Sequence, residues 1–193
     1  MTFPPSSVLL PDRTGLPDEI AYLRAAYPAA KWQSHRNYGE LTAFWLHVHA
    51  SLREQAARLD DLTASFREGR IAVGAFQSAL VPGLNHFLHQ LSGHHGIEDQ
   101  AYFPKFRALD PRMAAGFDLL ESDHGIIHLG LEATVDAART MLRAFGMPGD
   151  SRPAVDAYAG TSHILFAQLV RHLADEEEIV IPAMLEHGER RVS

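Results

Sequence analysis

The sequence predicts an all-α protein: an up-down-up-down four-helix bundle with an N-terminal arm. Three observations predict it. Four long stretches carry apolar residues at three- and four-residue spacing, the mark of a helix with one buried face. The connections between them are short, which favours antiparallel neighbours. No segment has the period-2 alternation of a strand.

Each element follows in order. Residues 1–35 are proline-rich and form the arm, in which Pro17-Asp18-Glu19 predicts a short helix to Ala26, stopped by Pro28. The first long helix covers 36–68, with Leu41, Trp45, Val48, Leu52, Leu59, Leu62 and Phe66 on its apolar stripe, and ends at Glu68-Gly69-Arg70. The second covers 72–108. Pro82-Gly83 is expected to break or kink it early, so its regular part begins near Gly83. Asp110-Pro111 is an N-cap with proline at the first helical position, opening a third helix that runs to Phe145. Gly146-Met147-Pro148-Gly149-Asp150 is a turn, and the fourth helix covers 151–187, closed by Gly188. The expected organisation is an arm over 1–35 and one bundle over 36–188.

Composition narrows the function. The chain has 193 residues, 46% of them hydrophobic, which fits one domain with a full core. It has no cysteine, so disulfides, thiolate zinc sites and a cysteine nucleophile are excluded. A net charge of −7 argues against a nucleic-acid partner, which would ask for a basic face. Apolar runs are too short to span a membrane. The opening MTFPPSSVLLPDRTG lacks the basic and apolar regions of a signal peptide, so a cytoplasmic location is expected. The unusual count is histidine, 12 in all.

Those histidines are patterned. HHGIEDQAYFP at 94–104 aligns without a gap with HLADEEEIVIP at 172–182, pairing His94 with His172, Glu98 with Glu176, Asp99 with Glu177 and Pro104 with Pro182. Residues i and i+4 share a helix face. His94 and Glu98 therefore point together, as do His172 and Glu176, and His124 and His128 in DHGIIHLG. Apolar neighbours make these core-facing positions. On the first helix only one of His47 and His49 can face inward. His49, among Trp45, Leu52, Ala56 and Leu59, is the choice. Five imidazoles and two carboxylates then converge from four helices. Buried, unpaired groups of this kind are costly, whereas imidazole and bridging carboxylate suit a pair of metal ions. With both ions six-coordinate and an oxo or hydroxo bridge between them, one position is left for a small ligand such as O2.

A lone core histidine is more often a hydrogen-bonded structural residue, and His35, His86, His89, His163 and His187 are read so; His86 and His89, about two turns upstream of His94, have as their alternative a further metal ligand or a hydrogen-bonding neighbour of one. Trp45 and Phe44 are read as core, and Tyr102 as core or as a hydrogen-bonding neighbour of a ligand.

These motifs resemble the hemerythrin-like (HHE) family over roughly residues 36–187: the HASLR stretch of the first helix, HHGIED…FP, the His124/His128 pair and HLADEE…IP. The ferritin-like alternative uses Glu-x-x-His, whereas this chain has His-x-x-x-Glu. The resemblance implies a four-helix bundle around a non-haem di-iron centre (Fe2+/Fe3+). It implies that His124, His128 and His172 hold one iron, that His49 and His94 hold the other, with its open position, and that Glu98 and Glu176 bridge. Oxygen-carrying members place the last carboxylate where this chain has Glu177. Helix geometry and the internal repeat favour Glu176. His95 also reaches Glu98 at helical spacing and is an alternative to His94. Iron fits this set best, and zinc and manganese also accept it. The first expectation is reversible binding or sensing of O2 or another diatomic. The second is an enzyme that decomposes peroxide or reduces nitric oxide. The third is metal storage or handling, or a structural zinc site.

Overall fold

A computed structural model describes residues 9–192; the beginning of the expected arm, residues 1–8, lies outside them. Five α-helices account for most of the chain: α1 Glu40–Arg67, α2 Val73–Ile97, α3 Phe103–Leu109, α4 Ala114–Phe145 and α5 Arg152–His187. Among the described residues there is no strand. The protein is an all-α helical bundle.

Two expectations about local structure are corrected. Pro82 does not break the second stretch; it lies inside α2. The missing proline N–H leaves the Ser78 carbonyl without its helical donor, but Ser78 and Pro82 are exposed, so water can replace it. The buried stripe Phe76, Leu80, Leu84, Phe87 and Leu91 runs straight through. The irregularity falls further on, where Glu98–Tyr102 form a π-helical turn closed by Phe103 N–H on the Glu98 carbonyl. Pro104 follows at once. Its ring would crowd the carbonyl four residues back in a regular α-helix, and the wider turn relieves this. In the arm, the short helix from Pro17 does not form. Hydrogen-bonded turns such as Ala21 N–H to Pro17 O, 3.1 Å, and Tyr27 N–H to Leu23 O, 3.0 Å, replace it.

The expected helix boundaries elsewhere have visible causes. Asp110 accepts a hydrogen bond from Arg112 N–H at 2.9 Å, ahead of α4. Gly188 closes α5 with φ +83°, a left-handed conformation that glycine adopts freely. The chain then turns so that Glu189 caps the start of α1, accepting from Gly39 N–H at 2.9 Å and Thr42 N–H at 2.7 Å.

The chain divides into two compact units, and each helix but α3 contributes to both. The first unit comprises residues 9–50, 94–125 and 170–192 of the described chain. Its core joins Trp45 of α1, Phe103 and Phe106 of α3, Phe117 and Leu120 of α4, and Ile181 and Met184 of α5, with Leu16 and Ala21 of the arm packed in. Phe106 stacks on Phe117 at 5.0 Å. The second unit comprises residues 51–93 and 126–169. There Phe66 stacks on Phe76 at 4.3 Å with Phe145 edge-on to Phe66, and Phe87 meets Phe166 at 5.4 Å.

Candidate metal centre

All the convergent histidines and carboxylates lie in the first unit. On α1 the buried positions Trp45, His49, Leu52 and Ala56 form one stripe, while His47 is exposed. The end of α2 supplies His94 and His95, and the π turn supplies Glu98. The buried stripe of α4 begins with Phe117, Leu120 and His124, and that of α5 includes Leu169, His172 and Glu176.

Seven of these side chains form two groups whose ligand atoms lie within 4.8 Å of one another. One is His95, His124 and His172; the other is His49, His94, Glu98 and Glu176. Six of the seven residues expected from the sequence are thus brought together. His128 is not, and its place in the all-histidine group is taken by His95. The stripe on α4 continues as His124, Ile127 and Leu131, so position 128 falls at its edge. The His128 side chain is 64% exposed and faces Glu132 at 3.3 Å. His94 and His95 each bring a ligand atom to one of the groups, His94 to the mixed one and His95 to the all-histidine one.

The two glutamates link the groups. Glu98 Oε1 lies 3.0 Å from His94 Nε2, while its Oε2 lies 3.6 Å from His124 Nε2. Glu176 Oε1 lies 3.3 Å from His49 Nε2, while its Oε2 lies 3.3 Å from His172 Nε2. Each carboxylate therefore divides its oxygens between the two groups. His124 Nε2 and His172 Nε2 face each other at 3.2 Å, and His95 stacks on His124 at 3.9 Å.

A second layer of carboxylates holds the outer nitrogens. Glu177 Oε1 is 3.0 Å from His49 Nδ1. Asp99 Oδ1 is 2.7 Å from His124 Nδ1. Asp123 Oδ2 is 3.4 Å from His172 Nδ1. An Nδ1–H donated outward leaves the Nε2 lone pair directed inward, the tautomer a metal needs. The sequence pattern offered Glu177 only as an alternative to Glu176 and did not single out Asp99 or Asp123, although Asp99 and Glu177 are matched in the internal repeat and carried the signal. It also missed Arg13, for which the irregular arm gives no periodicity. Arg13 is buried against Asp123 and Asp175.

Burial and charge set the protonation of the cluster. Burial holds His94 down to about 3 and His95 well below the usual histidine range. It pushes Glu98 well up, with the Glu176 charge adding to it. Burial would also raise Glu176, but His49 and His172 together bring it well below the carboxylate range. His49 and His172 are raised against the effect of their own burial, by Glu176 and by the carboxylates on their rings. The residues fit a cation. Nε2 of His49, His94 and His95, both oxygens of Glu98 and Oε2 of Glu176 are buried without a hydrogen-bond partner. Buried polar atoms are almost always satisfied, and a metal ion at each of the two groups would satisfy these.

The remaining expectations fall outside the cluster. His86, His89 and His163 are exposed and His35 and His187 partly so; His163 pairs with Asp60 at 3.3 Å. Trp45 is core, but Phe44 is 63% exposed. Tyr102 is half-buried and meets Trp45 edge-on at 5.0 Å. No helix of the described residues is long and apolar enough to cross a membrane.

Comparison with known proteins agrees with this arrangement. The family model described as hemerythrin HHE cation binding domain matches residues 40–184, a span that contains every member of both groups. No curated protein and no solved structure matches the chain.

Proposed function

Because the chain belongs to the hemerythrin HHE cation-binding domain family, we propose that the cluster holds two iron ions and that the centre binds or senses O2 or another small diatomic molecule. The observation that carries this reading is the division of oxygens: Glu98 and Glu176 each direct one oxygen to each histidine group. Two carboxylates arranged in this way would hold two ions between them and would be poorly used by one. The ion nearer His95, His124 and His172 would have three imidazoles and two carboxylate oxygens. The ion nearer His49 and His94 would have two imidazoles and two carboxylate oxygens. The second is one protein ligand short, and a small ligand would bind there. The inward-facing atoms are buried, which favours a ligand of few atoms over a large substrate. Iron, when bound, supplies a redox couple and a Lewis acid. Zinc and manganese accept the same donors.

A second reading is an enzyme that decomposes peroxide or reduces nitric oxide. It is favoured by the carboxylates behind His49, His124 and His172, which make the imidazoles more basic and so favour oxidised iron.

Anaerobic reconstitution with Fe(II), iron determination and addition of O2 tests both. Two irons per chain and a visible spectrum that reverses on degassing are expected for the first reading. Irreversible oxidation with multiple turnovers of peroxide or nitric oxide supports the second. A chain that retains one ion, or that binds zinc alone with no redox response, overturns both.

A further inference from the structure

We propose that Arg13 is a positioning residue for His172, acting through Asp123, so that the N-terminal arm is a working part of the metal centre. This rests on the reading of the cluster as a metal site and assigns the arm a role in it.

The Arg13 side chain is fully buried, although it comes from an irregular segment. A buried guanidinium is costly unless its charge and its N–H groups are matched. Here Nη1 donates to Asp123 Oδ1 at 3.2 Å, Nη2 donates to Asp123 Oδ2, and Nε donates to Asp175 Oδ2 at 2.7 Å. The other oxygen of Asp175 accepts from Arg171, which also donates to the carbonyl of Thr14 at 3.1 Å. Arg13 and Thr14 of the arm are thereby tied to α4 and α5.

The two-pronged contact fixes the plane of Asp123, because rotating that carboxylate would break both N–H bonds. The fixed plane matters to one histidine. Asp123 Oδ2, which Arg13 holds, is also the oxygen facing His172 Nδ1. At 3.4 Å this is the longest of the three carboxylate–imidazole contacts, against 2.7 Å for Asp99 and 3.0 Å for Glu177. A long contact orients a ring only if its acceptor is held still. Arg13 holds it, and so turns His172 Nε2 towards Glu176 and His124.

The test uses the full chain loaded with Co(II), whose ligand-field spectrum and paramagnetically shifted imidazole N–H resonances report each bound histidine. Arg13→Ala is compared with Asp123→Asn and with Arg24→Ala. The last removes another arm contact, Arg24 with Glu178 at 2.6 Å, a residue that belongs to neither group of the cluster. The expected result is a roughly 10- to 100-fold faster loss of one Co(II) to a chelator in Arg13→Ala. The same single N–H resonance is expected to be perturbed in Arg13→Ala and Asp123→Asn, and Arg24→Ala to match the wild type. Equal effects of Arg13→Ala and Arg24→Ala, or none from either, overturn the proposal. If Arg13→Ala does not fold, Arg13→Lys is read instead. It keeps the charge but not the two-pronged contact, and an unchanged resonance and release rate overturn the proposal. A wild-type chain that takes up no Co(II) overturns the metal reading itself.

Discussion

Trp45 donates its indole N–H to Glu176 Oε1 at 2.6 Å, deep in the first unit. The acceptor is the oxygen that also faces His49. A buried hydrogen bond to a charged group contributes about 1.5–3 kcal/mol, and leaving the group short of a partner forfeits it. Trp45→Phe keeps an aromatic ring and removes the donor. It is expected to lower the unfolding free energy of the metal-free protein by about that amount, measured by chemical denaturation. An unchanged midpoint would show that the indole does not support the carboxylate.

Asp99 and Glu177 stand at matched positions of the internal repeat and do matched work. Each takes the Nδ1 of a histidine on another helix, Asp99 from α4 and Glu177 from α1. Such outer partners typically change metal affinity by about 10- to 100-fold. If the cluster holds two ions as proposed, Asp99→Ala is expected to weaken binding on the His124 side, and Glu177→Ala on the His49 side. Competition titrations with a chelator of known affinity would resolve the two steps. Loss of the same step in both variants would contradict the assignment.

Glu189 gives a prediction about the fold. Its carboxylate caps α1 through Gly39, Leu41 and Thr42. A side chain at residue 39 would collide with it, because an added Cβ would lie 2.4 Å from Oε2. Glu189→Ala and Gly39→Ala are each expected to cost about 0.5–2 kcal/mol, the range for loss of an N-cap. Backbone N–H and hydroxyl donors hold Glu189 below the usual carboxylate range, against the opposing effect of partial burial. A depressed folded pKa means that this contribution is present above the unfolded value, about 4.3, and is lost as pH falls through the folded one. Wild-type and Glu189→Ala melting curves should therefore converge in acid. A gap that persists at the lowest pH would refute the capping role.

What the sequence made legible follows from periodicity. The burial of His49 and the pairing of His94 with Glu98 and His172 with Glu176 are local consequences of a helix with one apolar face. His128 shows the limit. Its i,i+4 relation to His124 places the two about 40° apart on a helix, and the stripe set by Ile127 and Leu131 runs on the other side of it. Pair spacing alone could not say which edge of the stripe was wet. His95 entered the cluster next to His94, where the wider π turn begins within a few residues, a change of helical pitch that periodicity does not announce. Arg13 and Glu189 reach their partners across more than a hundred residues, and no local pattern encodes such contacts.

The protonation of the cluster predicts opposite pH responses with and without metal. His49 is raised well above the usual histidine value, by Glu176 and its neighbours against burial. A raised folded pKa means that its stabilising contribution is full below the unfolded value, about 6.5, and is lost as pH rises through the folded one. The metal-free protein should therefore melt lower as pH is taken above neutrality. A metal ion needs the unprotonated ring and the ionised Glu98, whose pKa is raised by burial and by Glu176. Binding should then release protons and tighten as pH rises. Calorimetric titration in two buffers of different ionisation enthalpy measures the release. A proton count of zero near neutral pH would contradict this.

His95 and His128 are where the two groups of side chains differ from the residues expected from the sequence. In the folded chain His95 is buried and grouped with His124 and His172, while His128 is largely exposed beside Glu132. His128→Ala is expected to leave metal content and metal release unchanged, and to alter stability by less than about 0.5 kcal/mol, as for most surface substitutions. His95→Ala is expected to remove one ligand from the three-histidine group, speed release of that ion and leave the His49 side occupied longer. His95→Gln, which keeps bulk and a donor atom, should restore folding of the metal-free chain without restoring tight binding. Metal analysis of the purified variants, with release followed against a chelator, decides the point. Loss of an ion in His128→Ala with retention in His95→Ala would return His128 to the centre and remove His95 from it.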